Sequence, residues 1–150
     1  MQLSGEHRFT APRERVYEFL LDPDTLRSCL PGCEQLDETG EDEYSATMKI
    51  GIGMIKGTFT GKVQISERNE PSSYRMRVEG KGPQGQVAGD GVLELIEDGQ
   101  GGTLVKWSGD ANVRGTLARI GSRVIQPAAS TIVGQFFKCL EQKAAATQQA

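Results

Sequence analysis

Apolar and polar positions alternate along most of this chain, and the period of the alternation changes twice. Residues 3–9, LSGEHRF, set Leu3, Gly5, His7 and Phe9 on one side, which predicts a short strand. APRERVYEFLLDP then changes to helical spacing. Val16, Phe19 and Leu20 form a stripe, and Pro12 suits a first helical turn, where its missing donor is not needed. The helical signal restarts at DPDTLRSCL, with Asp22 placed to cap and Pro23 at the first helical position.

From about residue 34 to residue 114 the period is two. The apolar sets are Tyr44, Ala46, Met48 and Ile50; Gly57, Phe59, Gly61, Val63 and Ile65; Tyr74, Met76 and Val78; Val87, Gly89, Gly91, Leu93 and Leu95; and Val105, Trp107, Gly109, Ala111 and Val113. The breaks carry turn residues: ETGED, NEPSS, KGPQG and EDGQGG. Evenly spaced strands with no helix between them predict an antiparallel meander with one buried face.

The final segment, GTLARIGSRVIQPAASTIVGQFFKCLEQK, returns to helical spacing. Leu117, Ile120, Gly121, Val124, Ala128, Ile132, Phe136 and Leu140 share one stripe. Pro127 removes a backbone donor and crowds the carbonyl of Arg123, so a kink is expected there. The expectation is one α+β domain over residues 1–143, in the order β-α-α-β6-α, followed by a frayed tail at 144–150.

Composition narrows the function classes. The 150 residues are 37% hydrophobic and 25% charged, which suits one core. A net charge of -3 with no basic run gives no footprint for a nucleic-acid backbone. No apolar run is long enough to span a bilayer, and MQLSGEHRF has neither the basic nor the apolar part of a signal peptide. A cytoplasmic protein is expected. Three cysteines, Cys29, Cys33 and Cys139, then fit reduced thiols better than a disulfide framework.

Cys29 and Cys33 flank Pro31-Gly32, which raises metal or redox chemistry against a plain turn. A structural zinc site needs four ligands, usually in two pairs, and the chain has three cysteines and one histidine. The spacing also misses the C-x-x-C of thiol redox motifs. Pro cannot continue a helix and Gly permits a positive φ, so the segment reads as a chain reversal. The thiols are then small apolar groups beside it.

APRERVYEFLLDPDTLRSCLPGCEQL closely resembles the opening of the carbon monoxide dehydrogenase CoxG family. The resemblance continues through GIGMIKGTFTGKV at 51–63, GQVAGDGVLEL at 85–95 and GTLARIGSRVI at 115–125. It implies the helix-grip fold of the START and Bet v 1 superfamily, a curved antiparallel sheet of about seven strands around a long C-terminal helix. It also implies a role beside molybdenum-containing carbon monoxide dehydrogenase and related hydroxylases: recruitment to the membrane, maturation, or delivery of a lipid- or quinone-type ligand. Members that attach to membranes carry a C-terminal extension. This sequence ends at KAAATQQA, and the expectation is a soluble carrier or a protein peripheral to the inner face of the membrane.

Gly57, Gly61, Gly89, Gly91 and Gly109 occupy apolar-face positions. They let a sheet bend, and they leave space over its concave face. The candidate lining of that space is Met48, Ile50, Met54, Phe59, Met76, Gly89, Gly91 and Trp107 from the strands. Leu117, Ile120, Gly121 and Val124 join them from the last helix. Methionine adapts to irregular partners or simply fills gaps. GIGMIKG at 51–57 reads as a hairpin tip, and equally as a mobile apolar lip contacting a membrane or partner.

Catalysis has thin support. His7 stands alone in sequence, with only Tyr44 or Tyr74 available beside it on the inner phase. Asp90, Asp110, Glu94 and Lys106 fall on the outer phase, and GKGPQGQVAGDG lacks the Lys-Ser/Thr of a phosphate cradle. The sequence thus predicts a non-enzymatic binder of an apolar small molecule, with no catalytic residue, metal or covalently bound cofactor. A cyclase- or dehydratase-type enzyme and a protein–protein module with a filled core are the alternatives.

Overall fold

The computed structural model describes residues 1–149, with side chains described through Ala145. The elements are β1 (Gln2–Phe9), α1 (Arg13–Leu21), α2 (Pro23–Cys29), β2 (Cys33–Gly40), β3 (Glu43–Ile52), β4 (Ile55–Asn69), β5 (Ser73–Gly82), β6 (Gly85–Glu97), β7 (Thr103–Arg114), α3 (Thr116–Ile120) and α4 (Ser122–Gln149). One antiparallel sheet holds all seven strands in the order β1-β7-β6-β5-β4-β3-β2. Consecutive strands pair as hairpins from β2 to β7, and β1 closes onto β7 after the two short helices have crossed one end.

The alternation chose the inner face correctly. Tyr44, Ile65, Tyr74, Leu93, Leu95 and Val105 are buried on it together with Phe9, and each lies on the predicted apolar phase. Burying such a side chain stabilises by about 1.5–3 kcal/mol relative to leaving it in water. The Asp22 carboxylate accepts hydrogen bonds from the Thr25 amide at 3.0 Å and the Thr25 hydroxyl at 2.7 Å. This cap, with Pro23 behind it, starts α2 as predicted. The Pro31-Gly32 turn backs onto β3. Gly32, at φ +72°, accepts from the Lys49 amide at 2.8 Å, and a Cβ at Gly32 would collide with the Lys49 carbonyl.

Three expectations are corrected. The last helical segment breaks at Gly121, with φ +89°, rather than at Pro127, which lies within the continuous α4. Gly121 adopts a backbone conformation that side chains disfavour, and this ends α3. The thiols are not all free. Cys29 and Cys139 form a disulfide, with Cα atoms 5.4 Å apart, and only Cys33 remains unpaired. The packing of α2 against α4 brings together cysteines 110 residues apart, a distance at which spacing carries no signal. The third concerns the tail. The helix continues past residue 143, and Ala144 is buried in the core; residue 150 lies outside the described residues.

The close backbone approaches of α4 are to β1, α1, α2 and α3 rather than to the central strands. The buried core is accordingly in two parts. One, around Phe9, Tyr17, Leu95, Val105, Phe137 and Leu140, joins α1 and the second half of α4 to one end of the sheet. The other, around Ile55, Leu117 and Ala128, seals the opposite end beneath α3.

Candidate ligand-binding interior

Between the two clusters the inner face of the sheet changes character. Met48, Val63, Met76, Val78, Val87 and Trp107 all point inward, yet each is only half-buried. The strand register explains the space beside them. One row across β3 to β6 reads Ala46, Gly61, Gly80, Val87. The next reads Val63, Val78, Gly89, Ala111, and the third Ile65, Met76, Gly91, Gly109. Small residues thus adjoin across neighbouring strands, and the floor is thin where the helix stands away. A Cβ at Gly80 would meet nothing within 4 Å. At Gly89 the nearest atoms are Asp110 O at 3.1 Å and Ala111, and at Gly91 they are Ser108 O, Gly109 and Met76, all of the sheet itself.

Other glycines serve packing. The Trp107 indole leans over Gly5, its register partner, so that a Cβ there would lie 2.8 Å from Nε1. The Phe59 ring covers Gly82 in the same manner. These aromatic groups border the space and do not fill its middle.

The predicted lining residues divide by place. Met48, Met76, Gly89, Gly91 and Trp107 face the space between the clusters. Ile50, Phe59 and Ile120 are half-buried against the second cluster and Leu117 is inside it, so they form the end wall. Val124 is half-buried on the first turn of α4, and Gly121 is the break between α3 and α4. Met54 does not belong with the rest. It is 62% exposed at the tip of the β3–β4 hairpin, because the turn residue lies beyond the alternating phase of either strand.

The opposite face of the sheet also has a hollow. A depression of about 710 Å³ lies over the same glycine row and is lined by outward side chains, among them Thr47, Thr60, Lys62, Lys81, Gln86 and Arg114. The alternation placed these residues in solvent and gave them no role.

Polar groups near the interior are tied to structure. The Tyr44 hydroxyl donates to the Leu21 carbonyl at 2.7 Å, and the Tyr17 hydroxyl donates to the Ser73 carbonyl at 3.3 Å. Burial raises the pKa of Tyr17, Tyr44 and, most of all, Tyr74. Burial likewise raises the Cys33 thiol, against the opposing pull of its hydrogen bond to Gln35. His7 has a partner that sequence did not supply: its Nε2 lies 2.6 Å from Glu141 Oε2 on α4. The imidazole also packs beside Phe9 and Phe137, at 4.9 and 5.8 Å between ring centres. No group of His, Cys, Asp or Glu among the described residues is arranged to hold a metal ion.

The family model for the carbon monoxide dehydrogenase protein CoxG matches residues 5–145. The chain belongs to the CoxG family. A conserved protein from Geobacillus kaustophilus has 30% identity, a TM-score of 0.94, and coverage of 98% of this chain and 97% of its own. A START superfamily protein from Mycobacterium smegmatis superposes with a TM-score of 0.73 at 12% identity, over 97% and 98% of the two chains. The Zhui aromatase/cyclase from Streptomyces sp. R1128 does so with 0.68 at 13%, over 97% and 93%. At these lower identities the likeness is one of fold: the START-like helix grip. No curated protein matches the chain. No helix among the described residues is long and apolar enough to cross a membrane.

Proposed function

We propose that this CoxG-family chain is a non-enzymatic accessory protein that binds an apolar molecule, of lipid or quinone type, between the sheet and α4. In that role it assists a molybdenum hydroxylase of the carbon monoxide dehydrogenase type. One observation carries the reading: inward apolar side chains stay half-exposed between two separately packed clusters. A core built only for stability packs to uniform density. A lining of aliphatic groups, methionines and an indole is the usual wall of a small-molecule site. Family membership supplies the partner class.

The test is titration with N-phenylnaphthylamine, whose fluorescence rises in apolar surroundings, followed by displacement with a short-chain quinone or a fatty acid. Saturable uptake with competitive displacement supports the proposal. No uptake at any concentration leaves a filled protein–protein module.

An enzyme of cyclase or dehydratase type has one observation in its favour, the His7–Glu141 pair. A carboxylate beside an imidazole is how a general base is oriented. The pair joins β1 to α4 among aromatic rings, however, and that placement reads first as a fastening. His7→Gln separates the two: loss of stability with unchanged ligand uptake marks a fastening, while loss of turnover of a taken-up ligand marks a base.

A further inference from the structure

The chain is acidic overall, but its charge is sharply divided in space. Residues 44–66, 80–89 and 111–126 contain seven cations and no carboxylate. They are Lys49, Lys56 and Lys62 in the first stretch, Lys81 in the second, and Arg114, Arg119 and Arg123 in the third. The formal charge of -3 therefore separates into +7 on these stretches and -10 on the remainder. All seven cations are exposed, and none makes an ion pair among the described residues.

The fold brings the ends of these stretches together. Gln84, in the turn between β5 and β6, is the clamp. Its side-chain amide donates to the Met54 carbonyl at 2.8 Å, and its side-chain oxygen accepts from the Lys56 amide at 2.9 Å. Its backbone carbonyl accepts from the Leu117 amide of α3 at 2.8 Å. The β3–β4 tip, the β5–β6 turn and the start of α3 thus form one end of the molecule. The turns at the other end carry the carboxylates of Glu41, Asp42, Glu70 and Asp98. At the cationic tip stands Met54, the most exposed large apolar side chain described.

We infer that this end is a docking face for an anionic lipid surface. Lys56, Lys81, Arg114, Arg119 and Arg123 meet the headgroups, and Met54 enters the interface. Two independent features select a bilayer over an acidic protein. Cations spread over three elements without fixed partners suit a diffuse negative surface. An exposed apolar side chain among them suits a boundary where headgroups give way to acyl chains. The same end holds the second hydrophobic cluster, so the interior would face the membrane through its end wall. The docking goes beyond ligand binding and stands without it.

The experiment is co-sedimentation of the full chain with vesicles of phosphatidylcholine alone and of phosphatidylcholine mixed with phosphatidylglycerol. The wild type should bind only the anionic vesicles and be released by salt. Lys56→Gln, Lys81→Gln, Arg119→Gln and Arg123→Gln, added one after another, should each lower partitioning about fivefold, the equivalent of ~1 kcal/mol per cation. Met54→Ser should weaken binding with charge unchanged, and Lys106→Gln, away from this end, should not. A thermal melt checks that each variant is folded. N-phenylnaphthylamine uptake without vesicles is read in parallel, so that vesicle binding without uptake retires the ligand reading and keeps this one. Equal binding to neutral vesicles overturns the inference. So does an absence of binding to anionic vesicles at low salt, and the cations then fit an acidic protein surface instead.

Discussion

Gly80→Leu probes the interior by the sign of its effect on stability. Gly80 faces inward on β5, between Gly61 and Val87 on the neighbouring strands, and a Cβ there meets nothing within 4 Å. Its φ lies outside the region that only glycine favours, so a side chain brings no backbone strain. Replacing glycine within a strand recovers roughly 0.5–1 kcal/mol of backbone entropy. If the space is open, the leucine covers itself partly against Met48, Val63 and Val87, and even half of a full burial adds about 1 kcal/mol. The variant should then melt at or above the wild-type temperature while binding N-phenylnaphthylamine at least tenfold more weakly, since ~1.4 kcal/mol of lost contact is enough for that. If the helix instead closed a filled core, the leucine would overpack it and cost about 1–3 kcal/mol. Differential scanning fluorimetry and probe titration on the same samples read both quantities. A lower melting temperature with unaltered probe binding refutes the open interior.

Phe137→Ala, at a buried ring beside Phe9 and His7, should destabilise by about 3–5 kcal/mol in urea denaturation, and the half-buried Phe136→Ala clearly less; equal losses would contradict the packing described. Ile120→Ala should cost little stability and alter probe affinity, because Ile120 sits half-buried at the end wall; an unchanged affinity would remove it from the site. Cys139→Ser should lower stability by about 2–4 kcal/mol through loss of a cross-link spanning 110 residues, and dithiothreitol should have no further effect on the variant; a wild type indifferent to reductant would show that the bond does not form. Alkali should also act through the tyrosines. Tyr17, Tyr44 and Tyr74 have folded-state pKa values raised above the ordinary 10.0, so the unfolded chain binds fewer protons above that pH and stability falls as pH rises through it. Tyrosinate absorbance should appear together with unfolding, and its appearance in a fully folded chain would contradict the burial.

Strand identity and facing were legible because one face of this sheet is dry. Period-two alternation survives wherever burial is one-sided, and Tyr44, Ile65, Tyr74, Leu93 and Val105 all fell on the correct side. The Asp22-Pro23 start of α2 was legible for the same local reason, since a cap reports on the few residues after it. What failed was non-local or depended on a backbone angle. Gly121 reads as a small residue on a helical stripe, whereas its positive φ ends a helix, and Pro127 drew attention because proline is costly in helix interiors generally. Cys139 and Glu141 find Cys29 and His7 only because α4 crosses α2 and β1. Of the candidate site, the sheet positions came from phase alone, and Met54 was misplaced because a hairpin tip belongs to neither face. The cationic end was invisible as a run, being divided among three stretches that meet only in the fold.

The central claim is that the space between sheet and α4 holds an apolar molecule. Native mass spectrometry of the protein purified without detergent from the cells that make it tests this most directly. The account predicts a single non-covalent adduct of organic-soluble mass, lost on activation in the gas phase and absent from Gly80→Leu. The bare polypeptide mass, unchanged after incubation with quinones or fatty acids, would contradict it.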